Sequence, residues 1–156
     1  MILRDIPLRL AIVSAVLWVG GLWAIGYLAV PVLFQALSDR QLAGMLAGKM
    51  FTSMAYVGMV CAAYLLLYQL RGFRRAVFKQ MTFWVIVAML AALLLGQFGI
   101  QPVMAELKSQ ALPLDVMHSA LAGQFRTLHG VASVLYLMQS LLGIVLVIRI
   151  LPARNI

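Results

Sequence analysis

Four long stretches without a single charged residue constrain this chain more than any other feature. They run from Leu10 to Ser38, Met50 to Leu70, Gln80 to Ala105 and Thr127 to Ile148. Each meets or exceeds the ~20 apolar residues that a helix needs to cross a hydrocarbon layer of ~30 Å. Backbone N–H and C=O groups find no water there, so a spanning segment must satisfy its own hydrogen bonds as a helix. A barrel of strands would show apolar and polar residues in alternation, and these runs are continuous. The reading is an all-α integral membrane protein: a four-helix antiparallel bundle with spans at about 9–37, 48–70, 78–104 and 126–150, making 1–156 a single domain.

Composition narrows the partners. The chain is 65% hydrophobic and 10% charged, where a soluble domain carries about 25% charged residues. A net charge of +8 would ordinarily raise the question of nucleic acid. Here the basic residues stand between apolar runs, and no basic patch interleaves with exposed aromatics, so the expected partner is the lipid bilayer and not nucleic acid. The first run is too long for a secretory signal core and reads as a retained span. Cys61, the one cysteine, lies inside an apolar run, has no internal disulfide partner and belongs to no zinc pattern.

Orientation follows from where the cations fall. Alternate segments place Arg4, Arg9, Arg71, Arg74, Arg75, Lys79, Arg149 and Arg154 on one side of the membrane. The other side holds Arg40, Lys49, Lys108 and Arg126, with three of the four acids. Lys and Arg are retained on the cytoplasmic face. Both termini and the 71–79 loop are therefore expected inside a bacterial inner membrane, with 39–49 and 106–126 facing the periplasm or exterior.

Local signals refine the helices. Ser38 and Gln41 have capping-box spacing, so a helix should begin just after the first span. Pro113 and Asp115 mark the start of the last helix, with Asp115 as N-cap. That helix would include His118 and run to about Leu151, with Pro152 ending it. Small residues let helices approach closely in lipid; the Gly20–Gly21 pair, Gly26, Gly58, Ala62, Gly130 and Ser133 are the candidates. Trp18, Trp23 and Trp84 suit an interfacial belt, although Trp18 lies deep. A faint repeat links Gly26-Tyr-Leu-Ala-Val-Pro31-Val-Leu-Phe34 with Gly96-Gln-Phe-Gly-Ile-Gln-Pro102-Val-Met104. Two related hairpins would produce it, and so would chance.

An ionisable residue inside a membrane is a functional candidate by default, and His129, about one turn into the fourth span beside Arg126, is the one that qualifies. Its bland alternative is a hydrogen bond that stabilises the bundle. Gln97 and Gln101 lie four apart on one helix face, and Met104 follows on it. Met50 and Met54 share a face of the second span, and Ser133 stands one turn beyond His129. In a bundle these groups would converge on one cavity opening to the periplasm. Thioether and imidazole suit Cu(I) or a haem iron, while methionine is also a flexible packing residue. His118 and His129, eleven apart on one predicted helix, would lie about 16 Å apart and fail to flank one iron. There is no phosphate loop, HExxH, GxSxG or pair of intramembrane carboxylates, which disfavours an enzyme.

Several of these residues form a recognisable set. Trp18-Val-Gly-Gly-Leu22, Ala29-Val-Pro-Val-Leu-Phe34, Gln101-Pro-Val-Met104 and Phe125-Arg-Thr-Leu-His-Gly130, followed by Ser133, resemble the bacterial domain of unknown function 4149, a family related to the eukaryotic transmembrane protein 205. The resemblance implies a four-helix inner-membrane protein of unassigned activity. It carries over His129 as the leading site residue, with Arg126, Pro31 and Pro102 as companions. The eukaryotic relative is associated with resistance to platinum drugs, which implies soft-metal handling or efflux. The Trp-x-Gly-Gly-Leu pattern also resembles the membrane protoporphyrinogen oxidase and copper-resistance families, but this chain has no histidine in its first span.

The resulting expectation is a small polytopic membrane protein, non-enzymatic, with a periplasm-facing site around His129. The ligand residues would be His129, Arg126, Gln97, Gln101, Ser133, Pro31 and Pro102. A metal would fall to His129, Met50, Met54 and Met104. Copper, haem and no cofactor at all stand open. The alternatives are a haem-associated redox protein and a structural subunit of a larger complex, and a homodimer is compatible with each.

Overall fold

A computed structural model describes residues 6–112 and 115–150. Arg4, Arg154, Pro113 and Pro152, used above for orientation and helix ends, lie outside them. Four helices make the fold: α1 (Ile6–Ala36), α2 (Arg40–Phe73), α3 (Met81–Ala111) and α4 (Ala122–Ile150). Short 3-10 turns at Arg74–Lys79 and Val116–His118 join α2 to α3 and lead into α4. All four are long and apolar enough to cross a membrane. Val13, Val60, Leu67, Leu95, Val134 and Ile148 are among the many large apolar side chains left exposed on the outside of the bundle. Such a surface requires lipid around it. The protein is a multi-pass membrane protein.

Two helix starts differ from the sequence reading. The cap of α2 is Asp39 and not Ser38: its Oδ1 accepts from the N–H groups of Gln41 and Leu42 at 2.8 and 3.0 Å. A carboxylate satisfies two orphan donors and also meets the positive end of the helix dipole. Asp115 caps only the short 3-10 turn, accepting from the Met117 N–H. The chain then extends at Ser119, whose hydroxyl accepts from the Leu121 N–H, and α4 begins at Ala122. Both side chains offer the backbone a local alternative to continuing as a helix. His118 is therefore on a separate turn, and the two histidines do not share the one helix expected for them.

Antiparallel neighbours pack in sequence order, and α4 closes the ring against α1. The main core sits in the half of the bundle nearest the Arg71–Lys79 loop, where Ala15, Trp18, Leu65, Ile86, Met89 and Leu146 are fully buried. Small residues set the approach. A Cβ on Gly58 would lie 2.6 Å from Trp18 Nε1 and 2.7 Å from Leu93 Cδ1. One on Gly143 would lie 2.9 Å from Val19. On α4 the close-packing residue is thus Gly143. Gly130, expected for that role, has open space beside it, and Ser133 is exposed.

The other half of the bundle is different. There α1 leans on α2 and α3 leans on α4, but packing between the two hairpins is carried by the first halves of α1 and α3. A second small core of Leu107, Ala111 and Val116 belongs to the α3–α4 hairpin alone. The hairpins thus clasp at one end and part at the other.

The same backbone device interrupts the α-helical ladder of α1 and α3. Each contains a π-helical segment, Ala24–Ala29 and Leu95–Ile100, and each segment begins seven residues before a proline, Pro31 and Pro102. Val30 N–H bonds Ile25 C=O, and Gln101 N–H bonds Gly96 C=O, five residues back in both cases. Proline lacks an N–H and its ring crowds the carbonyl four residues earlier, and a widened turn absorbs the mismatch. The likeness of the two segments in sequence therefore extends to their geometry.

Candidate functional site

Between the parted hairpins lies a cavity of about 700 Å³ lined by all four helices. Its size is that of a small-molecule site, and its wall is mostly apolar with a few polar groups. α3 contributes a stripe at helical spacing: Leu93, Gln97, Gln101, Met104 and Lys108. From α4 come Phe125, His129, Ser133, Tyr136 and Gln139, and from α2 Met54 and Phe51. Trp18 and Leu22 of α1 form the floor, where the main core begins.

Six of the residues singled out from sequence meet here: Gln97, Gln101, Met104, His129, Ser133 and Met54. The imidazole of His129 stacks on Phe125 at 6.0 Å between ring centres, and the residue is exposed, so it forms part of the wall without being sealed by it. Ser133 donates its hydroxyl to the His129 carbonyl at 2.8 Å. Gln101 donates to the Gly48 carbonyl at 3.4 Å, bridging α3 to α2.

Four others are placed elsewhere. Arg126, Pro31 and Pro102 are exposed and outside the cavity wall; the prolines act through the backbone of α1 and α3. Met50 faces a separate crevice with Leu33, Leu46 and Ser53. Ile25 borders both spaces, so α1 stands between Met50 and Met54 although they are one helical turn apart. The four expected metal donors are therefore split. Among the described residues no group of three His, Cys, Asp or Glu side chains is placed to hold a metal ion.

Several parts of the site were not foreseen. Tyr136 donates its hydroxyl to the Leu22 carbonyl and lies against Gly26, whose N–H would close that turn of an unbroken α-helix. A side chain inserted into the i→i−4 ladder is, like a π-helical bulge, a recognised interruption of a straight helix. Gly26 has to be glycine, because a Cβ there would collide with the phenol ring. Tyr27 donates to Ser140 at 2.9 Å, and Tyr136 makes edge contacts with both Tyr27 and Phe51. These bonds brace α1 to α4 at mid-depth. Farther from the floor, among the described residues, no side-chain hydrogen bond crosses from Val30–Ala36 to α4, and the seam between those helices is unbridged. A mid-span tyrosine was the available signal, since a phenol in lipid must find a partner.

Gln139 is at the cavity floor. It is 8% exposed, and its Oε1 has no hydrogen-bond partner in the protein. Gln69 Oε1 is left without a partner in the same way but does not line the cavity; at Gln139 the adjoining space has room for a donor from outside the chain.

Comparison with known proteins adds one result. A family model described as Domain of unknown function (DUF4149) matches residues 13–113. No curated protein and no solved structure matches the chain.

Proposed function

The chain belongs to the DUF4149 family, and on that premise we propose that its cavity binds a small, mostly apolar ligand carrying a few hydrogen-bonding groups. The activity is binding or handling without covalent chemistry. One observation carries this reading: a cavity of about 700 Å³ whose floor holds an unpartnered, nine-tenths-buried Gln139 acceptor. The separation of Met50 from Met54, Met104 and His129 favours the small-molecule ligand over the metal.

Fluorescence of Trp18 offers the test. Trp23 and Trp84 are exposed, so Trp23→Phe, Trp84→Phe leaves one indole at the cavity floor. In nanodiscs, ω-bromohexadecanol is expected to quench it along a saturable curve; quenching that rises linearly with probe concentration, as for a solute dissolved in lipid, would rule the site out. Gln139→Leu removes the acceptor and also the cost of leaving it unpaired, about 1–3 kcal/mol. We expect it to raise resistance to denaturation and to leave quenching by ω-bromohexadecanol saturable, because the bromine end of that probe offers Gln139 no donor; a variant less stable than the wild type would contradict the unpaired state assigned to Gln139.

The proposal includes orientation. The end of the bundle with Arg9, Arg71, Arg74, Arg75, Lys79 and Arg149 faces the cytoplasm of a bacterial inner membrane, and the cavity faces the periplasmic side. A phosphatase reporter fused after Phe73 is expected to be inactive and a cytoplasmic fluorescent reporter there bright. The reverse pattern would invert the site.

A further inference from the structure

The ligand reading leaves open what the occupant presents at the mouth of the cavity. Resting on that reading, we infer that the occupant is a single-chain amphiphile with an anionic head, held between Lys108 and Arg40, its chain running down to Trp18 and carrying there a hydroxyl that donates to Gln139.

The charges around the cavity are concentrated at one level. Lys108, Arg40 and Asp115 line the mouth, and below His129 the only ionisable groups in the wall are the phenols of Tyr27 and Tyr136. The Lys108 ammonium is half-buried, yet its partners are weak: the Gly44 carbonyl at 3.4 Å and the face of Phe125, 5.5 Å from the ring centre. Asp115 spends one carboxylate oxygen on the Met117 N–H at 2.8 Å, and among the described residues no carboxylate forms an ion pair with Lys108 or Arg40. Two cations against one acid leave the mouth net positive. A half-buried ammonium that forms no ion pair is completed by an anion, whose charge-assisted hydrogen bonds are about twice as strong as neutral ones.

Shape supplies the rest. From Leu93 at the floor to Lys108 at the mouth, α3 rises on the order of 20 Å at 1.5 Å per residue. The 700 Å³ of the cavity spread over that length make a tube with one charged end. A chain of sixteen carbons reaches along it, and the unbridged seam between α1 and α4 gives it a way in from the bilayer.

Three probes test the assignment in the Trp18-only protein, in nanodiscs of phosphatidylcholine. ω-Bromohexadecanoate is expected to quench Trp18 saturably and to bind about tenfold more tightly than ω-bromohexadecanol, a difference of about 1.4 kcal/mol. α-Bromohexadecanoate, with its bromine beside the head, should displace the ω-bromo acid and leave Trp18 bright. Lys108→Gln, with folding verified by circular dichroism and gel filtration, should bring the acid-to-alcohol ratio to about one, and Lys108→Arg should restore the preference. Equal affinity of acid and alcohol in the wild type overturns the anionic head and leaves the cavity reading intact, whereas no saturable quenching by either brings down that reading as well. Replacing phosphatidylcholine by phosphatidylglycerol separates the sources. Unchanged affinity supports a free amphiphile; loss of quenching assigns the mouth to a bilayer lipid and overturns the single-chain occupant.

Discussion

Gly58→Leu is expected to lower the stability of the bundle by about 3 kcal/mol, the upper end of what forcing extra carbons into a packed core costs. The same change at Gly20 should leave stability unchanged or raise it by a few tenths, because leucine is the better helix former. Both glycines lie in spans, and their sequence contexts give no reason to rank them. Their surroundings do. A Cβ at Gly58 would stand 2.6 Å from the Trp18 indole nitrogen and 2.7 Å from a Leu93 methyl, while one at Gly20 meets nothing within 4 Å. Trp18 is 1% exposed and packed in the main core, so either its indole leaves that core for the cavity it floors or α2 moves away from α1 and α3. In lipid no hydrophobic gain offsets that, since tails are as apolar as leucine. Unfolding in mixed micelles at increasing dodecyl sulfate fraction measures both variants. Equal midpoints for Gly58→Leu and wild type would mean that α2 does not approach α1 and α3 at this point.

The architecture was legible in the sequence because lipid permits so little. Once four uncharged runs exceed the bilayer thickness, helices are the only way to satisfy the backbone, and the same argument placed polar groups such as Gln97, Gln101 and His129 on inward faces. The places where legibility failed share a cause. Ser38 and Asp39 both have side chains suited to capping, and which one caps depends on the dihedral angles of a single peptide. His118 was placed on the last helix because an uninterrupted apolar pattern does not register Ser119, where a local hydrogen bond competes with the helix. Gly130 and Gly143 look alike as small residues on α4, yet Gly143 meets Val19 and Gly130 meets open space. The two are thirteen residues apart and so lie on different faces of α4, only one of which meets α1.

Divergence also explains why half of the site was invisible. Periodicity along one helix identifies a face, and it correctly grouped Gln97, Gln101 and Met104. It does not identify what stands opposite. Met50 and Met54 share a face in the helical sense, yet Ile25 divides their surroundings. Tyr27 and Ser140 are 113 residues apart, and Tyr136 and Leu22 are 114 apart. Contacts at that separation leave no trace in the periodicity of either helix. The two prolines were noticed as a possible repeat; the π-helical segment beside each of them leaves no mark in the apolar pattern.

A bulky residue placed in that space gives the largest expected effect on binding. Gly96→Phe should weaken saturable quenching of Trp18 by at least a hundredfold, a loss of about 2.7 kcal/mol or more, with the fold retained. Gly96 lines the cavity, and a Cβ there meets nothing within 4 Å, so the ring enters open space and displaces no core side chain. The substitution also replaces the most flexible residue in a helix by one that favours it modestly. Stability should hold or rise while binding disappears, the reverse of the pattern for Gly58→Leu, which removes stability through the core. That opposition separates a cavity that serves a ligand from one that is merely a packing fault. Filling a fault makes a protein more stable and changes nothing else, whereas filling a site makes it more stable and silent toward ω-bromohexadecanol. If Gly96→Phe is stabilised and the quenching curve is unaltered, the space between the hairpins is a fault, and the ligand must be sought elsewhere on the molecule.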